Sequence, residues 1–217
     1  ARQKIQYALK LEPKFPEAFN SLGNVFAGEK NFGAALKAYS HAIEIRSIFG
    51  EAFANRGDVL RCIGNLKAAE ADCRKSIDLE PNLAAGYGNL ATIFMDLKNW
   101  EGAYSELKKA IRLEPNEAVF LTNMAKTLVK LNRSEEALKA AELAITLCPT
   151  SADALNSLGN AHYDLLDYDA AENSYCKALQ VEPEHADAHN NLGNVLAGKN
   201  QLRAAADSFY NSLKINP

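Results

Sequence analysis

Asparagine side chains recur in this sequence with a constant spacing. Ten of the 20 asparagines fall in three columns that repeat every 34 residues, and Asp58, Thr92 and Lys126 occupy further places in them. The ten are Asn20, Asn24, Asn55, Asn89, Asn123, Asn156, Asn160, Asn190, Asn191 and Asn194. A carboxamide offers one acceptor oxygen and two donor hydrogens, so it can pair with the C=O and the N–H of a peptide together. These thirteen residues form the predicted peptide-binding groove.

A second role for the asparagines stays open at this level. Asparagine lies roughly half a kcal/mol or more below alanine in helix propensity, so its repeated use within helices indicates a benefit elsewhere. The benefit is either ligand binding or hydrogen bonding between neighbouring helices, which would fix the angle at which they stack.

Other residues with chemical potential do not form a site at a defensible spacing. His185 and His189 are four residues apart, as metal ligands often are, but His185 falls in a turn and His189 takes a place that aromatic residues hold elsewhere. The sequence has no glycine-rich phosphate loop and no nucleophile spaced with a histidine and a carboxylate. We therefore expect no catalytic residue, no metal and no cofactor.

The asparagine spacing follows from a repeat of two helices, A and B. Leu158-Gly159, Ala171 and Pro183 all return at the same interval, while apolar residues recur with helical periodicity between them. Residues 1–15 are predicted to hold the second helix of a truncated repeat. The complete repeats are predicted at residues 16–49, 50–83, 84–117, 118–151 and 152–185, and the last one, truncated at its end, at 186–217.

Small residues at the eighth place of each repeat, such as Gly23, predict a close crossing of helices A and B. The predicted turn between the two helices is Lys30-Asn31, where asparagine tolerates a left-handed backbone. Its counterparts are Gly64-Asn65, Lys98-Asn99, Asn132-Arg133, Leu166-Asp167 and Asn200-Gln201. Arg56 replaces a leucine of the other repeats, and we expect it to be hydrogen-bonded within the packing.

Composition narrows the class of partner. The net charge of −3 argues against a nucleic-acid surface, which carries a basic excess, and no apolar run is long enough for a membrane span. The four cysteines are scattered, which favours reduced thiols and a cytoplasmic or nuclear location. Because the chain opens without methionine inside a repeat, we expect it to be a fragment of a longer protein.

The period, with its Leu-Gly, alanine and proline columns, resembles the tetratricopeptide repeat family. The resemblance covers all 217 residues. It implies an all-α fold, a right-handed α-solenoid of antiparallel helix pairs, whose A helices line a concave groove. It also implies a non-catalytic protein–protein interaction scaffold that binds an extended peptide or a partner helix.

The phrase Asn20-Ser21-Leu22-Gly23-Asn24, which returns at 156–160, is similar to the repeats of O-linked N-acetylglucosamine transferases. That likeness implies an alternative function: a substrate-recruiting module of a larger enzyme, such as a protein O-glycosyltransferase, whose catalytic domain is not in this chain.

Two expectations concern partners. Acids outnumber bases on the predicted groove, which favours a neutral or basic peptide. The last B helix carries Leu202, Ala205, Phe209 and Leu213 with no following helix to cover them, so we also expect self-association through the terminal helices.

Overall fold

The computed structural model describes residues 2–216, without the side chains of residues 2–4 and 6. The described residues form thirteen α-helices and no strand. The helices are α1 (Arg2–Leu11), α2 (Pro16–Gly28), α3 (Phe32–Ile45), α4 (Gly50–Cys62), α5 (Leu66–Leu79), α6 (Ala84–Asp96), α7 (Trp100–Leu113), α8 (Ala118–Lys130), α9 (Ser134–Leu147), α10 (Ala152–Asp164), α11 (Tyr168–Val181), α12 (Ala186–Gly198) and α13 (Leu202–Ile215). The predicted helical start at Ala1 and the predicted closing Pro217 lie outside the described residues.

From α2 onward, the helices pack in consecutive pairs joined by short turns. We call the first helix of each pair the A helix and the second the B helix, so the even-numbered helices from α2 to α12 are A helices. The chain divides into an N-terminal unit, α1–α7, and a C-terminal unit, α8–α13. Within each unit, an A helix contacts its own B helix, the preceding B helix and the neighbouring A helix.

Each turn from an A helix to its B helix has one residue with a left-handed backbone, followed by the N-cap residue of the B helix. Lys30 has a φ of 56°, in the left-handed region, and the same place in later turns is held by Gly64, Lys98, Asn132, Leu166 and Asn200, all with positive φ. Asn31 has a φ of −86°, and its side chain accepts a hydrogen bond from the Ala34 N–H. The prediction that Asn31 takes the left-handed backbone is therefore wrong, because this asparagine caps α3 and an N-cap residue needs a negative φ.

Small residues allow the A and B helices to cross closely, as predicted. A Cβ atom on Gly23 would lie 2.4 Å from the Tyr39 ring, and one on Gly159 would lie 2.4 Å from the Tyr175 ring. Both tyrosines are buried in the crossing. The ring thus occupies the volume that any larger residue at the glycine position would need.

Arg56 lies within the packing of the N-terminal unit and is hydrogen-bonded there, as expected. Its guanidinium donates to both carboxylate oxygens of Asp72, over 2.6 and 2.9 Å, and to Ser40 Oγ over 3.1 Å. These hydrogen bonds satisfy the Arg56 guanidinium, which lies between α3, α4 and α5.

The last helix is covered on one side only. Leu202 and Leu213 are 65% and 64% exposed, whereas Ala205 is 3% exposed. The expectation that Ala205 and Phe209 belong to the uncovered face is wrong, because Ala205 belongs to the buried alanine column and the Phe209 ring packs against Gly193 of α12. Self-association through α13 stays a prediction.

Candidate functional site

All thirteen predicted site residues lie on A helices. The N-terminal unit brings together six of them, namely Asn20 and Asn24 on α2, Asn55 and Asp58 on α4, and Asn89 and Thr92 on α6. The C-terminal unit brings together the other seven, namely Asn123 and Lys126 on α8, Asn156 and Asn160 on α10, and Asn190, Asn191 and Asn194 on α12.

In the N-terminal unit, carboxamides join neighbouring A helices. Asn55 Nδ2 donates to Asn20 Oδ1 over 3.0 Å, and Asn20 Nδ2 donates to Glu51 Oε1 over 3.0 Å. Asn89 Nδ2 reaches the Ala54 carbonyl of α4, also over 3.0 Å. Since Asn20 is only 4% exposed, its hydrogen bonds serve the packing of α2 against α4.

The C-terminal unit repeats this arrangement between α10 and α12. Asn191 Nδ2 donates to Asn156 Oδ1 over 3.1 Å and to Asn160 Oδ1 over 3.0 Å. Asn156 is 3% exposed, while Asn190 and Asn194 lie exposed on α12. The asparagines thus differ: some join helices, and others on the same face reach solvent.

Charged side chains also join A helices. In the N-terminal unit, Arg61 donates to Asp58 Oδ1 and to Asp96 Oδ2, each over 3.2 Å. One cation is therefore shared by two carboxylates, which leaves this part of the face with an excess of negative charge.

In the C-terminal unit, Asp153 of α10 lies between two basic side chains. His185 Nε2 is 3.8 Å from Asp153 Oδ1, and Lys126 Nζ donates to the same oxygen. His185 and Lys126 together hold the pKa of the Asp153 carboxyl well below its usual range. In turn Asp153 raises the pKa of His185. His185 Nδ1 accepts from the Ala188 N–H, so this histidine caps α12 as well.

A pocket of about 390 Å³ opens beside this charged group. It lies between the start of α8, the end of α9 and the start of α10, and its apolar wall includes Val119, Leu147 and Cys148. Two predicted site residues, Asn123 and Lys126, line the polar side together with Asp153.

Our sequence reasoning missed the apolar wall of this pocket. Val119 is 59% exposed, on the face of α8 that also carries Asn123. The signal was present, because the second place of the other A helices holds Glu17, Glu51, Ala85, Asp153 or Asp187 and no large apolar residue. Leu147 and Cys148 gave no such signal, because their approach to α8 depends on how α9 is packed.

Family models described as tetratricopeptide repeat match residues 50–83, 84–117, 106–139 and 156–217. Together these stretches span more than half of the sequence. The chain belongs to the tetratricopeptide repeat family. No curated protein sequence matches this tetratricopeptide repeat (TPR) chain significantly.

Solved structures share the TPR fold at low sequence identity. The APC/C hetero-tetramer Cut9-Hcn1 matches with a TM-score of 0.89 and 19% identity, over 98% of this chain and 42% of that chain. PilF of Pseudomonas aeruginosa has a TM-score of 0.75 and 19% identity, over 89% of this chain and 88% of that chain. YrrB, a TPR protein with an unusual peptide-binding site, has a TM-score of 0.62 and 22% identity, over 84% of this chain and 94% of that one.

These matches confirm the predicted fold class, an all-α TPR solenoid, and this chain spans less than half of the Cut9-Hcn1 chain it matches. Among residues 2–216, no helix combines the length and apolar character that a membrane crossing requires. The narrower resemblance to O-linked N-acetylglucosamine transferase repeats stays a prediction, as do the repeat boundaries and the location in the cell.

Proposed function

We propose that this TPR chain is a protein-interaction scaffold that binds an extended peptide across the A helices of its C-terminal unit. The observation that carries the proposal is the pocket between α8 and α10, where an exposed apolar wall faces a polar edge. Binding sites commonly combine apolar volume with a few polar groups that fix the orientation of the ligand.

The pocket suits one apolar side chain of the peptide. Val119 and Leu147 would contact that side chain, and burying it supplies the hydrophobic part of the affinity. Asn123 lines the same pocket and is only partly buried, so its carboxamide can accept from and donate to the peptide backbone. The Lys126–Asp153 pair marks the polar edge, where a side chain next to the anchor would lie.

Charge favours a neutral or basic peptide. Asp153 stays ionised down to low pH, because His185 and Lys126 hold its pKa below the usual range. Two carboxylates, those of Glu117 and Asp153, line the pocket against the single ammonium group of Lys126. A peptide with an acidic residue beside its anchor would meet these carboxylates and be repelled.

One structural neighbour supports this class of ligand. YrrB has a peptide-binding site and shares the TPR fold. At 22% identity the likeness concerns the fold alone, so the residues proposed here follow from the pocket and not from YrrB.

The test is binding to an array of short synthetic peptides in which a central leucine is flanked by lysine, serine or glutamate. We expect the wild-type protein to retain lysine- and serine-flanked peptides and to reject glutamate-flanked ones. Val119→Ser and Asn123→Ala should each weaken binding about tenfold, as for a central contact of an interface.

Val181→Ser is the matched control, because Val181 is also an exposed valine but lies at the end of α11, away from the pocket. Valine and serine have similar helix propensities, so circular dichroism should show the same helicity in both variants. Equal binding by wild type, Val119→Ser and Asn123→Ala would contradict the proposal.

A further inference from the structure

The turn between α10 and α11 exposes a group of apolar side chains. Tyr163, Leu165, Leu166 and Tyr168 are all exposed there, and Leu166 is 70% exposed. The rings of Tyr163 and Tyr168 meet edge to face with centroids 5.5 Å apart. We call these four residues the 163–168 patch. Single exposed apolar residues are common on protein surfaces, but four in one turn are not required by the fold.

Leu166 is unfavourable at its position for two reasons. Its φ of 63° lies in the left-handed region, which disfavours residues with a bulky side chain. The same place in other turns holds lysine, asparagine or glycine, and these residues solvate well or tolerate a positive φ. Leu166 therefore stabilises neither the turn, where its backbone is strained, nor the core, since its apolar side chain is exposed to water. Such outliers concentrate at functional positions.

Carboxylates surround the patch. Asp164 accepts from Ser134 Oγ over 3.3 Å, and Asp169 pairs with Lys199. Asp167 caps α11 by accepting from the Ala170 N–H over 3.1 Å, and its other oxygen lies 3.8 Å from His162 Nδ1. Of these three acids, only Asp169 has a lysine partner, and that lysine, Lys199, also pairs with Glu172. The carboxylates around the patch therefore carry a net negative charge.

We propose that the 163–168 patch is a second docking surface, for a partner protein segment that carries leucine-like side chains flanked by lysine or arginine. An aliphatic side chain of the partner would lie against Leu166 and the two tyrosine rings. The flanking cations would approach Asp164 and Asp167. The charge of the rim decides the chemistry of the partner, because an acidic segment would be repelled from the same apolar contacts.

The surface is independent of the proposed peptide pocket. The pocket is built from α8, α9 and the start of α10, whereas the patch lies at the end of α10 and the start of α11. A segment bound in the pocket therefore does not use the residues of the patch, and each site is tested with its own substitutions.

The experiment uses two fluorescein-labelled synthetic peptides that share a Leu-Leu pair. One has lysines on both sides of the pair, and the other has glutamates. Fluorescence anisotropy is measured with Val119→Ser, in which the proposed pocket is weakened, and with the double variant Val119→Ser, Leu166→Asn. We expect the lysine peptide to bind Val119→Ser, and its affinity for the double variant to be at least about tenfold weaker. The glutamate peptide should not bind either protein.

Leu166→Asn should also raise the thermal unfolding midpoint, because asparagine tolerates the left-handed backbone better than leucine. A loss of binding together with a gain of stability excludes unfolding as the cause. Leu97→Asn is the control, since Leu97 is another exposed turn leucine, in the N-terminal unit. Leu97→Asn, also added to Val119→Ser, should bind the lysine peptide as Val119→Ser alone does.

Four results would overturn the proposal. They are equal binding of the lysine peptide by Val119→Ser and the double variant, equal binding of the lysine and glutamate peptides, and no binding of either peptide. The fourth is a wild-type dimer in sedimentation that Leu166→Asn converts to monomer, which would assign the patch to a second copy of this chain.

Discussion

The Tyr39 hydroxyl donates a hydrogen bond of 2.7 Å to Asn24 Oδ1. The same bond returns four repeats later, where the Tyr175 hydroxyl donates to Asn160 Oδ1 over 2.8 Å. In each case a buried tyrosine of a B helix donates to an asparagine on the paired A helix. The carboxamides of Asn24 and Asn160 are therefore each oriented by a tyrosine of the paired B helix.

Alkaline pH should weaken this arrangement. Burial, with the nearby Asp58 and Glu51 carboxylates, raises the pKa of Tyr39 to about 12. An unfolded tyrosine has a pKa of about 10, so the folded protein keeps this proton to a higher pH than the unfolded chain. The stabilisation is therefore complete below about pH 10 and is lost as the pH rises through about 12.

We expect Tyr39→Phe to reduce the loss of stability between about pH 8 and about pH 11, measured as the shift of the urea midpoint. At neutral pH the same variant should be less stable by about 1 kcal/mol, the contribution of one hydrogen bond. Tyr210→Phe, which alters an exposed tyrosine, is the control. An unchanged alkaline loss in Tyr39→Phe would show that other groups cause it.

Gly159→Ala should destabilise the protein by about 1–3 kcal/mol, because the added methyl group would overlap the Tyr175 ring. The double variant Gly159→Ala, Tyr175→Leu should recover most of the loss. That combination already exists in the chain, where Ala91 and Leu107 hold the same two places. Gly198→Ala is the control, because a Cβ there would meet nothing within 4 Å. Thermal unfolding gives the comparison, and equal midpoints for the two single variants would contradict it.

Arg56→Leu should cost about 2 kcal/mol of unfolding free energy, because Asp72 would keep a largely buried charge without its partner. The double variant Arg56→Leu, Asp72→Ala should be close to wild type. It recreates Leu22 and Ala38, which stand at these places in the first complete repeat. Urea denaturation of both variants makes the test, and a double variant as unstable as the single one would refute the role of the stranded carboxylate.

The two roles of the asparagines predict opposite signs on one helix. Asn191→Ala removes the hydrogen bonds to Asn156 and Asn160, so it should destabilise the protein by about 1–2 kcal/mol. Asn194→Ala changes an exposed asparagine to a better helix former, so it should leave stability unchanged or raise it slightly. Equal thermal midpoints for the two variants would remove the structural role from Asn191.

The sequence by itself determined the helices and their pairing. The leucine, glycine, alanine and proline columns make their contacts within one repeat, between residues that are close in sequence. Their spacing therefore predicts the A and B helices. The contacts at the helix crossing could also be predicted from sequence, since Gly23 and Gly159 stand opposite the tyrosines of their B helices. The unusual turn between α10 and α11 can also be recognised in the sequence, because leucine stands there in place of the lysine, asparagine or glycine of the other turns.

Only the tertiary structure decided which asparagines face inward. Asn20 and Asn190 occupy the same column, yet Asn20 is buried against α4 and Asn190 is exposed. The pocket beside Val119 was equally out of reach, because Leu147 and Cys148 join it from a different helix and the linker that follows. Both features depend on side chains about thirty residues apart in sequence. Periodicity determines on which face of a helix a residue lies, but its rotamer and the approach of the next helix determine what its side chain contacts.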